Sequence, residues 1–431
     1  MTAEILDQVS LRSVVTGIPQ DALSGLRRHA LDSFAKHGFP STREEDWHYT
    51  SLGIAAEISN DWLQGSAGED VPEHAASAPT DTGIDADWIV VTDGGIDRQA
   101  LSLLNERLSD GVSILPLSAL SSLPDLYIDD SIASFNAALL RDGILVRVAP
   151  GVSIERPIGF AILDQAHSSP AVSQVRIVIE TGQGAAASFV YVDRSGGGPK
   201  RFSTSVVELL LGPDSAIDFL RLQERAESHV HTSQFRASLD AGAVLQHGAI
   251  DVGGRLVRND VHVKLAGPRA RASLCGAYFA DGQQHVDNHL FADHLVGPAE
   301  SRQDYRGIAA GRARCIFNGK AVVRPHAGGT DAVQSNHNLL LSENAEIDTK
   351  PELEIYADDV KCAHGATVGQ LDEKSVFYLR SRGLGRDEAI LLLTRAFAAN
   401  VLGTLPIPAA RQYVDRLVER KLDSMIGGSG A

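Results

Sequence analysis

The chain has 431 residues, 43% hydrophobic and 22% charged, with a formal net charge of −16, which leaves room for two or three domains and at least one large core. The acidic balance, without any Lys/Arg stripe interleaved with aromatics, argues against nucleic acid or an anionic membrane as a partner. Only Cys275, Cys315 and Cys362 are cysteines, and "MTAEILDQVSLRS" lacks the basic start and apolar run of a signal peptide, so a reducing cytoplasm without a disulfide framework is expected. The longest apolar stretch, "AILLLTRAFAANVLGTL", is broken by Arg395 and falls short of the roughly 20 residues that span a bilayer.

In chain order, residues 20–37 set Leu23, Leu26, Ala30, Leu31 and Phe34 at helical spacing, with Gly38 and Pro40 as stop signals. "GFPSTREEDWHYTSL" then mixes aromatics with charges and reads as a loop leading into more helix. Residues 65–86 are small, polar and acidic, which reads as a surface loop or linker. From about residue 140, short β-rich runs such as "ILVRVAP", "VRIVIET" and "SFVYV" alternate with Gly, Asp and Pro turns. No long helical pattern separates them, which argues against a doubly wound α/β architecture.

Stacking the turns gives a faint repeat, with segments beginning at 182, 212, 239, 267, 310 and 342. A small residue holds the fourth place of each: Ala185, Ser215, Gly242, Ala270, Ala313 and Ala345. A period near 30 with strands and tight turns suggests a β-solenoid whose coils stack closely at a corner. A β-sandwich or a double cupin barrel is the structural alternative. After Asp372 the pattern turns helical, over residues 386–402 and again beyond Pro406 and Pro408. There Val414, Leu417, Val418, Leu422 and Met425 share one face. The expected division is a helical and mixed N-terminal domain (1–130, acidic linker near 65–86), a β core (131–372) and a C-terminal helical domain (373–431).

Some chemistries are missing. "GATVGQ" lacks the lysine of a phosphate loop, and neither Gly-x-Ser-x-Gly nor His-Glu-x-x-His occurs. His229 and His231 share a strand face, as cupin metal pairs do, but no Glu follows them; a solvent-facing strand is the other reading. In "HVDNHLFADH", His285 and His289 share one face and His294 points the other way, beside Asp287 and Asp293. These are candidate iron or zinc ligands, or else a polar seam between stacked coils. Cys362-x-His364 puts a thiol and an imidazole on one face of a strand. That suits a soft iron or sulfur site, or a thiol with its base, and leaves a metal's coordination incomplete. Glu352, Glu354, Asp358 and Asp359 are candidate hard ligands or a solvated face. Cys275 and Cys315 read as small core residues.

The run from residue 301 to 384, with "FNGKAVV", "QSNHNLLLS", "AEIDTKPELEIYADDVKCAHGATVG" and "FYLRSRG", closely resembles the SufB/SufD family of iron–sulfur cluster assembly proteins. "HVDNHLFADH", "DGILVRVAPGVSIERPI" and "GFPSTREEDWHYTSL" resemble it too. "GATVGQLD" after the Cys-x-His, and the N-terminal motif, are closest to the SufD type. The resemblance implies a right-handed parallel β-helix between helical N- and C-terminal regions. It implies a non-catalytic scaffold that pairs with a SufB-like paralogue through the β-helix and binds a SufC-like ABC-type ATPase through the C-terminal helices. His364 would hold iron or a nascent Fe–S cluster at the subunit interface, with Cys362 as its neighbour. No stably bound cofactor is implied for the isolated chain. A stand-alone homodimer is the alternative within the family. A polysaccharide-acting β-helix enzyme and a cupin-like metal oxygenase are the rivals outside it.

Overall fold

A computed structural model of the chain describes residues 6–65, 79–165 and 169–427; most of the acidic linker lies outside them. Mainly β, the fold is a parallel solenoid of about seven turns flanked by N- and C-terminal helices. From Ile144–Val148 onward, successive strands alternate between a nine-stranded and a ten-stranded sheet. Pairing within both is parallel except at their first edges, where Gly95–Ile96 and Val112–Pro116 pair antiparallel. This excludes the sandwich and the double cupin barrel, which are antiparallel. One turn takes 26 residues from Val230 to Leu256 and 33 from Ile144 to Ile177. Asp87–Thr92 pairs in parallel with Ile158–Asp164, so the ten-stranded sheet recruits residues well before 131.

The corners explain the faint repeat and its irregularity. Ala185, Ser215, Ala243 and Ala270 each donate their N–H to the carbonyl three residues back, at 3.2, 3.2, 3.0 and 3.4 Å, just before a strand of the ten-stranded sheet. All four are fully buried, because a larger side chain would strike the neighbouring coil. Gly242 stands one place early; it supplies the left-handed turn (φ 70°) ahead of Ala243. Ala313 and Ala345 instead precede strands of the nine-stranded sheet. The sequence repeat therefore merges two corners of the same coil, and its longest gap marks the passage from one to the other.

Helices cover both outer faces, the N-terminal ones over the first coils of the nine-stranded sheet and the C-terminal ones over the middle coils of the ten-stranded sheet. Ser24–His37 and Ser131–Leu139 pack on the nine-stranded sheet, where Phe34, Phe39, Phe135 and Phe202 cluster with centroids 5.0–5.7 Å apart. Arg386–Leu402 and Arg411–Gly427 pack on the ten-stranded sheet; the second buries Val414, Leu417, Val418, Leu422 and Met425 against Leu222, Ile250 and Phe279. The last coil, Glu346–Ile355 and Lys361–Gln370, forms the far edge of both sheets, and most of it is half-buried or exposed.

Candidate functional site

Position in the solenoid explains why Cys362 and His364 are accessible. Cys362 pairs with Ala332, His364 with Gln334 and Ala366 with Asn336. Ala332, Gln334 and Asn336 are buried inward positions, so side-chain alternation puts Cys362, His364 and Ala366 on the inward row of the last coil. His364 ends a ladder that runs through Phe219, His247, Leu274, Gln303 and Gln334. Its earlier members are sealed by the next coil. Among the described residues nothing stacks on the last one, so His364 is exposed and Cys362 is half-buried against the core. Partial burial raises the Cys362 thiol, and the nearby Asp331 adds to the shift. That is the opposite of what an activated nucleophile needs.

The proposed hard ligands sit elsewhere. Glu352 and Glu354 belong to the ion-pair face of Glu346–Ile355, with Lys350 2.6 Å from Glu352 and Lys320 2.5 Å from Glu354. Asp358 and Asp359 are exposed in the turn between the last two strands. Asp359 takes a left-handed conformation (φ 51°), and its carbonyl accepts the Gly329 N–H at 2.9 Å.

His229 and His231 do not face solvent; both are fully buried in the lumen. His229 Nε2 lies 3.3 Å from Asp164, and His231 Nδ1 is 2.8 Å from the Ser203 hydroxyl. Arg225 bridges Asp164 and Asp193, reaching Asp193 through Nε at 2.9 Å and Nη2 at 2.5 Å. Burial drives Asp193 up to about 6, whereas Arg225, His229 and Arg201 overcome burial at Asp164 and keep it ionised. One guanidinium between two buried carboxylates cannot compensate both. Burial pushes His229 down to about 4, so it stays neutral.

His285, Asp287 and His289 line the outer face of the nine-stranded sheet. Asp287 is fixed by Arg258 at 2.7 Å and by the Thr50 hydroxyl, with His289 3.1 Å away. His294 points inward to Ser301, 2.8 Å away. Asp293 is held by Arg324 at 2.8 Å. These contacts form a hydrogen-bonded seam across coils and loops. Burial pushes the Cys275 thiol up to about 11 and the Cys315 thiol up to about 12. Among the described residues no three His, Cys, Asp or Glu side chains converge as a metal site requires, so Cys362 and His364 offer an incomplete ligand set.

A second feature went unread in the sequence. Ile355, Tyr356 and Val368 on the last coil, with Phe377, Tyr378 and Leu392 on the helices after it, are exposed large apolar residues. A cavity of about 510 Å³ opens between Tyr378, Leu379, Leu392 and Ala396. Of these, only Leu392 falls in a stretch whose pattern signalled a helix, and that pattern does not say that one face would lack a cover.

Residues 162–397 match the family model described as SUF system FeS cluster assembly, SufBD core domain. The chain belongs to the SufBD family. Like other SufBD proteins, it is a member of the iron–sulfur cluster assembly machinery. It is 27% identical to the Escherichia coli iron–sulfur cluster assembly protein SufD, over 91% of each chain. It is 27% identical to a SufBD-family protein of Synechocystis, over 93% of this chain and 92% of the other. A Mycobacterium leprae SufBD-family protein is 29% identical over 68% of this chain and 75% of its own. No helix among the described residues is long and apolar enough to cross a membrane.

Proposed function

We propose that this SufBD protein is a SufD-type scaffold subunit of the cytoplasm, without catalytic activity of its own. It pairs with a SufB-like paralogue through the open end of the solenoid, and a SufC-like ATPase docks on the C-terminal helices. His364, with Cys362 beside it, holds iron or a nascent Fe–S cluster while the partner supplies the remaining ligands, which gives the subunit a part in iron acquisition. The cluster is cargo, built there and passed on.

One observation carries this reading: an imidazole and a thiol share the inward row of the terminal coil, which nothing among the described residues covers. The unpaired strand edges around them offer backbone hydrogen bonds to another sheet. The exposed Phe377, Tyr378 and Leu392 suit a large partner surface.

Co-expression with SufB-like and SufC-like partners tests it. A stable complex should form, and His364→Ala should leave assembly intact while slowing maturation of an iron–sulfur enzyme at least tenfold. Normal maturation by that variant would remove His364 from the mechanism. Recovery of this chain only with itself would favour the homodimer.

A further inference from the structure

The loop between helices Ser24–His37 and Gly53–Gly65 reaches four successive strands of the nine-stranded sheet. On Leu256–Leu265, Arg258 lies over the Trp47 ring at 4.4 Å and donates to the Asp46 carbonyl at 2.7 Å. On His285–His294, the Thr50 hydroxyl bonds to Asp287 at 2.5 Å and His285 at 2.8 Å. On Arg314–Val323, Arg314 stands over the Tyr49 ring at 5.6 Å. On the edge strand Glu346–Ile355, Lys350 pairs with Glu45 at 3.2 Å.

The grip is uneven. Thr50, Arg258 and Asp287 are at most 1% exposed, so the root of the loop is buried and hydrogen-bonded. At the tip, the Glu45 and Lys350 side chains are 85% and 44% exposed. Between root and tip lies a cleft of about 930 Å³, with Glu45 and Trp47 on one side and His289, Asn318 and Lys350 on the other. The tip therefore crosses open space to reach the edge strand. That strand gains from the support: among the described residues its one strand neighbour is Arg314–Val323, which also holds it through Arg314–Asp348 and Lys320–Glu354 ion pairs, and Pro351 removes a backbone donor from its middle.

We infer that residues 45–50 form a strap that holds the terminal coil in order, with Glu45 and Lys350 as positioning residues for the coil that carries Cys362 and His364. The strap's purpose rests on the scaffold reading above; its hold on the coil does not. Because the tip is one exposed ion pair, the hold is modest and weakens with salt.

Hydrogen exchange on the full chain decides this. Glu45→Lys should raise exchange of the 346–355 amides about fivefold, the scale of an exposed pair, and leave 201–211 unchanged. Combining it with Lys350→Glu should reverse most of the increase, although Glu352 keeps the reversal short of complete. Unchanged exchange in Glu45→Lys would overturn the strap. Capture of a SufB-like partner should fall by a similar factor in Glu45→Lys and recover in the double variant. Faster exchange with undiminished capture would overturn the positioning role. If the wild-type chain captures no SufB-like protein, the scaffold reading fails, while the exchange result still decides the strap.

Discussion

Thr50 has a single hydroxyl proton. Given to Asp287, it obliges Thr50 to accept from His285, which fixes the His285 proton on Nε2. Thr50→Val removes a donor and an acceptor from a buried site at once, and should cost about 1–3 kcal/mol in urea denaturation. Arg225 is more exposed to substitution. Arg225→Met leaves Asp164 and Asp193 buried without their shared cation and should cost about 3–5 kcal/mol by the same measurement. The thiols divide just as clearly. Half-buried Cys362 should alkylate in the native protein, and Cys275 and Cys315 only after unfolding, as peptide mass spectrometry will report. At this scale the spacing of Cys362 and His364 was legible, since alternation decides which residues share a face. It does not decide which face is inside. For that reason His229 and His231 read as solvent-facing, although a lumen with its own arginines and aspartates accommodates them.

Among the elements, the corners carry the information that fixes coil stacking. A Cβ on Gly267 would lie 2.0 Å from the Ala241 backbone nitrogen, and that neighbour cannot swing away as a side chain can. Gly267→Ala should therefore destabilise by about 1–3 kcal/mol, measured by chemical denaturation. The corner residues were visible as small residues at a period near 30. Their sorting into two corners was not, because each coil presents two similar turns and only the sheet they feed distinguishes them. The helix over 411–427 was legible down to its buried face, since an apolar stripe at helical spacing has one way to be satisfied. Phe377 and Tyr378 show the converse: an apolar face says that something must cover it, and the fold of one chain leaves that open.

Over the whole molecule, buried histidines set the response to acid. Burial holds His229, His262 and His294 down at about 4 and His247 at about 3, whereas an unfolded histidine takes up its proton near 6.5. Their contribution is complete above about 6.5 and is lost as the pH falls toward 4. Asp193, raised to about 6 by burial, has the opposite sign: its contribution is present below the ordinary carboxylate value near 3.8 and lost as the pH rises through 6. Burial also lowers His231 and His285 and raises Glu208 and Asp218; six histidines against three carboxylates predict a net loss of stability from pH 7 to 5, measurable as a lower urea midpoint, and Asp193→Asn should steepen it. The sequence by itself determined a mainly β chain with helical ends, because breaks at Gly and Pro and a helical stripe after Asp372 are local features; the period near 30 left a solenoid beside a sandwich or a double cupin barrel, and parallel strand pairing decided between them. Long shared motifs determined the family. Only the tertiary structure decided that polar side chains fill part of the lumen, that the segment "REEDWHYT" straps the outer face, and that Cys362 and His364 end an uncovered ladder. Each of these depends on which coil stacks on which, and the last on Glu346–Ile355 and Lys361–Gln370 being the edge strands of their sheets.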